Sequence, residues 1–183
     1  ERRRVAYACS EVDALEAIVD CYTANVGEQE FWETVSRSAT FVSGARVLVA
    51  HAEGDGVRLD GDGEEHEGDA PLRGIHIPLS VRENLIVHSI ATGREAETAE
   101  LADLCVGGEP VSATLPRSRR RVRYVVVPLP NAPYEAALVA LVEGNTNAAV
   151  EGLRLVAERA GLVSRARENL RLRFEFEPAP AGA

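Results

Sequence analysis

Cys105 and His88 are the two side chains whose types could carry thiolate chemistry, because a sulfur nucleophile needs a base or cation beside it. No nucleophile motif surrounds Leu104-Cys105-Val106, so an inert thiol behaving as a small hydrophobe beside an incidental helix histidine is expected. Asp60-Gly61-Asp62-Gly63-Glu64 places oxygen ligands at alternate positions, as a calcium loop does. Glu65 stands where an EF-hand loop requires glycine, and no helix pattern precedes the run; a solvated acidic loop follows. His51, His66 and His76 lack paired zinc spacing, so no metal ligands are assigned. Arg117, Arg119, Arg120, Arg121 and Arg123 form a cluster whose guanidinium forks could engage a phosphate, a nucleotide or an acidic partner, against the alternative of a solvated loop. Arg123 differs in lying within a strand pattern, on the same face as Val125 and Val127. If that face lines a pocket, Arg123 binds an anionic ligand and His76 adds a hydrogen bond from its own strand; otherwise Arg123 snorkels at an edge.

The elements that must position these residues are legible as periodicities. Ile75, Ile77 and Leu79 share one face of a strand in which Pro78 forbids one ladder hydrogen bond, which predicts a sheet edge or a strand end. Asn84 caps a following helix, Leu85 to Ala91, and Gly93 closes it. The strands Val122 to Leu129 and Glu135 to Glu143 form a hairpin across Pro130-Asn131-Ala132-Pro133, and Val125-Val126-Val127 predicts burial on both faces. Earlier, Arg46 to Ala52 and Val57 to Leu59 read as a second hairpin around Glu-Gly-Asp-Gly. Arg94 to Thr98 reads as a short strand and Glu100 to Cys105 as a helical turn or two, while 61–70 and 106–121 read as irregular connections.

Helices flank these strands. Ser10 with Asp13 approximates a capping box ahead of a helix to about Ala24, on which Val12, Leu15, Val19, Tyr22 and Val26 form a stripe. A second helix, from Glu28 to Val42, presents Phe31, Trp32, Val35, Ala39 and Val42 to the sheet. In the last helix, Asn147 to Phe174, Leu153, Val156, Ala160, Val163, Leu170 and Phe174 follow heptad spacing interrupted by Arg167. Leu15, Val19 and Tyr22 with Leu153, Val156, Ala160, Val163 and Leu170 predict a homodimer through a four-helix bundle; the alternative is that both stripes face the chain's own sheet. Residues 1–9 read as an N-terminal tail, 10–174 as one domain, and 175–183, rich in proline and alanine, as a linker or tail.

Composition excludes several classes. The net charge is −9 and all 20 basic residues are arginine, which opposes general nucleic-acid binding. Eight acids against Arg58 between Glu53 and Asp69 concentrate that charge. No apolar run of about 18 residues could span a bilayer. Three cysteines without C-x-x-C spacing give neither a disulfide framework nor a zinc site, so a reducing, cytoplasmic setting is expected. A chain of 183 residues without methionine, beginning at Glu1, is expected to be a piece of something longer.

Ile77-Pro78-Leu79, Leu85-Ile86-Val87 through Ala91-Thr92-Gly93-Arg94-Glu95, Asp103, Val126-Val127-Pro128-Leu129 and Ala137 to Leu141 resemble, in order and spacing, the GAF family of sensory domains. Ser80-Val81-Arg82-Glu83-Asn84 departs from it where many members carry glycines. The resemblance implies an α+β fold: a mainly antiparallel sheet of five to six strands, terminal helices on one face, and a short helix with loops enclosing a pocket on the other. It puts forward His76, His88, Cys105 and Arg123 as ligand-binding candidates, leaves any cofactor unknown, and assigns no catalytic residue. The function it implies is binding of a small molecule and transmission through the last helix to a fused output domain. A ligand-free docking module and a thiol reductase are the alternatives.

Overall fold

A strand that is apolar at successive positions must be covered on both faces, because neighbouring side chains point to opposite sides. The computed structural model describes residues 10–63, 74–104, 122–130 and 136–176. Within them lie α1 (Glu11–Thr23), α2 (Glu28–Ser43), β1 (Arg46–Glu53), β2 (Gly56–Asp60), β3 (His76–Pro78), α3 (Leu85–Thr92), β4 (Ala96–Thr98), a 3-10 turn (Leu101–Leu104), β5 (Val122–Pro128), β6 (Ala136–Glu143) and α4 (Thr146–Phe176). The strands make one antiparallel sheet in the order β3-β2-β1-β6-β5-β4. Of its four interior strands, β1, β6 and β5 are buried on both sides.

Strand parity then divides the core. Val47, Val49, Val125, Val127, Leu138 and Ala140 pack with α1, α2 and α4. Leu48, Ala50, Val126 and Val139 turn the other way and pack with Val57, Leu59 and Ile77 against Ile86 and Val87 of α3 and Leu104. Each valine, leucine or isoleucine among them, fully buried, contributes roughly 1.5–3 kcal/mol. Pro78 sits in an edge strand, where its missing N–H costs no ladder bond. The β1–β2 hairpin pairs Glu53 with Gly56 around Gly54, whose φ of 61° lies in the left-handed region that a tight hairpin turn needs.

Capping follows the sequence closely. Ser10 and Asp13 complete a reciprocal box at α1. The Asn84 carboxamide oxygen accepts from the backbone N–H groups of Ile86 and Val87, and Gly93 ends α3 at φ 65°.

Of the two readings of the α1 stripe, packing on the chain's own sheet is not found, and one expectation needs correction. On α1 the residues buried in the core are Ala14, Ile18 and Cys21, not the stripe led by Val12, which is 60% exposed. Leu15, Val19 and Val26 only flank that core and Tyr22 is exposed. α1 packs on α2 and α4 rather than on the sheet, and the small Ala14 and Cys21 let it come close. The acidic connection does not begin as a solvated loop either, since Gly61 and Asp62 are buried. The Asp62 carboxylate receives the Arg46 guanidinium at 3.2 and 3.4 Å, and Arg37 donates to its carbonyl. Paired in this way, the acid can enter the fold without leaving a bare charge. Its continuation and the cluster from Arg117 to Arg121 lie outside the described residues.

Candidate functional site

On the α3 side of the sheet, where a pocket is expected, the described residues form a packed apolar cluster. Ile86 and Val87 point from α3 onto Tyr124, Val126, Ala137 and Val139. Leu104 closes one end, held there by Asn84, whose Nδ2 donates to the Leu104 carbonyl at 2.7 Å. One buried asparagine thus caps α3 with its oxygen and fixes the 3-10 turn with its nitrogen, satisfying both ends of its amide. Ser89, also buried, donates from Oγ to the Arg94 carbonyl at 2.5 Å and ties the turn after α3 back onto the helix. Thr98 donates to Asp103 and accepts from the Glu100 N–H, which orders the entry to the 3-10 turn.

The candidate ligand residues do not converge on this face. Arg123 shares its side of β5 with Val125 and Val127, as expected, but that side bears α1, α2 and α4. There its half-exposed guanidinium pairs with Glu97 of β4. His76 lies on β3 at the far edge of the sheet, on the face opposite Ile77, with Nε2 2.9 Å from the Glu53 carbonyl. His88 is on the exposed side of α3. Cys105 lies outside the described residues. Parity alone told which residues share a face, not which face holds α3.

The α4 stripe is occupied within the single chain. Leu153, Val156, Ala160 and Val163 are buried with α1, α2 and the sheet, and Leu170 is half-buried beyond them. Arg167, which breaks the heptad pattern, donates to the carbonyls of Cys21 at 3.1 Å and Val26 at 2.7 Å, and its guanidinium lies 4.8 Å over the Phe31 ring. It therefore satisfies a carbonyl at the C-terminal end of α1. Burial raises the Cys21 thiol above its ordinary range, so it is held protonated beside this contact.

Sequence reasoning did not find three features of the same layer. Trp32 stacks on His51 at 5.3 Å, and His51 Nε2 lies 2.7 Å from Asp60, whose other oxygen meets Arg58. An open polar groove of about 550 Å³ runs along α2, lined by Gly27, Gln29, Glu30, Glu33, Thr34 and Arg37. At the β4 edge, Glu95 accepts a forked pair of hydrogen bonds from Arg154 of α4, at 2.5 and 2.8 Å. The Arg154 guanidinium holds the Glu95 carboxyl below its usual range, and Glu95 in turn raises Arg154. Thr92-Gly93-Arg94-Glu95 is visible in the sequence, but nothing there pairs it with a residue 59 positions later.

Among the described residues no group of three or more histidines, cysteines and acids is placed to hold a metal. No helix among them is long and apolar enough to cross a membrane.

With this geometry in place, comparison of the coordinates with solved structures decides the architecture. The GAF domain of an Acinetobacter phosphoenolpyruvate-protein phosphotransferase superposes with a TM-score of 0.58, over 87% of this chain and 95% of that one, at 12% identity. The chain has the fold of a GAF domain. The GAF fold also relates it to the phycoerythrobilin-bound GAF domain of a cyanobacterial phytochrome, with a TM-score of 0.59, 12% identity and coverage of 89% and 98%. A GAF domain/HD domain protein from Geobacter sulfurreducens matches at 0.52, 13% identity and coverage of 87% and 96%. A scan of family models and a search of curated proteins by sequence find no match.

Proposed function

We propose that this GAF-fold chain is a non-catalytic sensory or regulatory domain, which binds a small molecule on the α3 side of its sheet and passes a population shift to an attached output through α4. The observation that carries the reading is α4 itself. Over its first half, Ala149 to Ser164, its inner residues are core, while Arg171, Leu172 and Arg173 are exposed. A helix buried in the domain over one half and exposed at its far end can report a change in the first to what is attached to the second. Transmission requires that the ligand bind two arrangements unequally. The bilin of the phytochrome domain and the HD domain of the Geobacter protein are the kinds of ligand and output that this fold accommodates elsewhere.

A homodimer belongs to the same reading, with its seam moved. Val12, Leu15, Val19 and Tyr22 repeat at three-four spacing along the outer side of α1, and Leu155 and Leu162, each 49% exposed, repeat every seven residues on the outer side of α4. Sedimentation should then give about twice the chain mass of 19.7 kDa. The cytoplasmic setting follows from the same assignment. The thiol-reductase alternative would need Cys105 to approach a second cysteine, and Cys21, buried in the α1–α2–α4 layer and held protonated there, is a poor nucleophile for that role.

The alternative of a ligand-free docking module is favoured by one observation, the closure of the α3 face by Leu104, Tyr124 and the doubly bonded Asn84. Thermal unfolding in the presence of metabolite and nucleotide libraries separates the two. A compound that raises Tm with saturable concentration dependence supports the sensor. A stable dimer whose Tm no compound moves supports docking instead.

A further inference from the structure

We infer that the Glu95–Arg154 pair is a releasable latch which couples the position of α3 to that of α4 around the β4 edge of the sheet. The inference rests on the regulatory reading above and gives it a physical route. α3 and α4 lie on opposite faces of the sheet. Packing between them passes through β5 and β6, which are buried on both faces and joined by seven register pairs. Such an interior deforms reluctantly.

The edge offers a shorter path. The Ser89 hydroxyl holds the Arg94 carbonyl at 2.5 Å, Glu95 is the next residue, and its carboxylate takes both the Nε and Nη2 donors of Arg154. β4 pairs through only three residues, Ala96, Glu97 and Thr98, so its attachment to β5 is slight. Glu97, two residues on and therefore on the same side of the strand as Glu95, is tied separately to Arg123 of β5. The two acids divide the work. Glu97 holds the strand to the sheet, and Glu95 holds the turn after α3 to the helix on the far side.

The strength of the pair suits a switch. Arg154 and Glu95 are 58% and 34% exposed, so water and salt weaken their attraction. Its fork geometry still gives a defined closed state. Releasing an exposed pair of this kind changes an equilibrium by only a few-fold, so a modest signal can open it and its loss does not unfold the domain.

Hydrogen exchange by mass spectrometry on the whole chain, without ligand or output, tests this. Arg154→Gln should speed exchange of the α3 amides, across the sheet from the substitution, by about two- to fivefold. Glu95→Gln should do the same for α4 around Arg154. The double variant should exceed neither single one, and the charge-swapped pair Glu95→Arg with Arg154→Glu should return towards wild type. Glu97→Gln should loosen β4 and leave α4 unchanged. The latch is overturned if each substitution affects only its own segment, if the two single effects add, or if Glu97→Gln acts on α4 as Glu95→Gln does. Such a failure leaves the sensory reading to its own thermal test, and a silent compound screen leaves the latch standing.

Discussion

Gly152→Ala should destabilise the domain even though alanine is the better helix former. Gly152 lies in the α4 interior, where α2 crosses α4 closely. A Cβ added there would sit 2.9 Å from the Val42 carbonyl oxygen and 3.1 Å from the Ser43 Cα. Ordinary carbon contacts begin near 3.5 Å, so the overlap is about half an ångström. The obstructing atoms are backbone, so no rotamer change relieves them. α2 is also prevented from withdrawing: Ser36 Oγ donates to the Val47 carbonyl at 2.7 Å, and Thr40 Oγ1 accepts from the Val47 N–H at 3.1 Å. Overpacking of this kind costs roughly 1–3 kcal/mol, and the immobile neighbours place it near the upper end. Relief of the glycine penalty returns about 1 kcal/mol. The net expectation is a loss of about 1–2 kcal/mol, or a fall in Tm of roughly 2–8 °C for a chain of this length. Urea unfolding followed by helical circular dichroism reads it directly, with an unchanged m-value as the mark of a pure stability effect. Gly27→Ser gives the contrast, because the α2 N-cap has no side-chain hydrogen bond and open space around its Cβ; it should gain a few tenths of a kcal/mol. If Gly152→Ala is instead more stable than wild type by about 1 kcal/mol, propensity has won and the close crossing is refuted.

Arg167→Ala should cost about 2–3 kcal/mol in the same assay, because it removes two charge-assisted bonds to the α1–α2 junction and the contact over Phe31. Arg167→Lys should recover only part of this, since a point charge cannot bridge both carbonyls. Glu95 is held below the ordinary carboxyl range by Arg154, so its contribution is present above that range and lost as the pH falls through the depressed value. Chemical unfolding across acid pH should therefore show a shallower acid decline for Glu95→Gln than for wild type, with a difference well under 1 kcal/mol at this exposure.

The sheet was legible where residue type alone restricts the backbone. Pro78 could occupy only an edge or an end, and it occupies an edge. Gly93 and Asn84 could bracket a short helix, and they do. Val125-Val126-Val127 required cover on two sides and receives it from two separate clusters. The site was less legible because its residues meet by tertiary placement. Arg123 and Val125 share a face by parity, yet whether α3 or α4 covers that face depends on connections that no local pattern specifies. Glu95 and Arg154 carry no pairing signal either, since an exposed acid and an exposed arginine are each ordinary surface residues until the β4 edge brings them together.

The apolar stripes show why periodicity fixes a helix's orientation before its partner. Heptad spacing on α4 correctly identifies Leu153, Val156, Ala160 and Val163 as one face, but a core facing the chain's own sheet and a seam facing another chain produce the same spacing. Arg167 is the residue that distinguishes them. Within a seam between two copies its charge would be a bare interruption; in the folded chain its guanidinium satisfies two backbone carbonyls and covers an aromatic ring. A polar residue that completes the hydrogen bonding of the neighbouring α1–α2 turn binds its stripe to that same chain. On the homodimer reading, the apolar residues open to a second copy are the exposed ones, Leu155 and Leu162 on α4 with Val12 and Tyr22 on α1. Charges at both leucines, Leu155→Glu with Leu162→Glu, should halve the sedimenting mass of a dimer and leave the unfolding midpoint of the monomer within about 0.5 kcal/mol; loss of folding instead would place these leucines in the core.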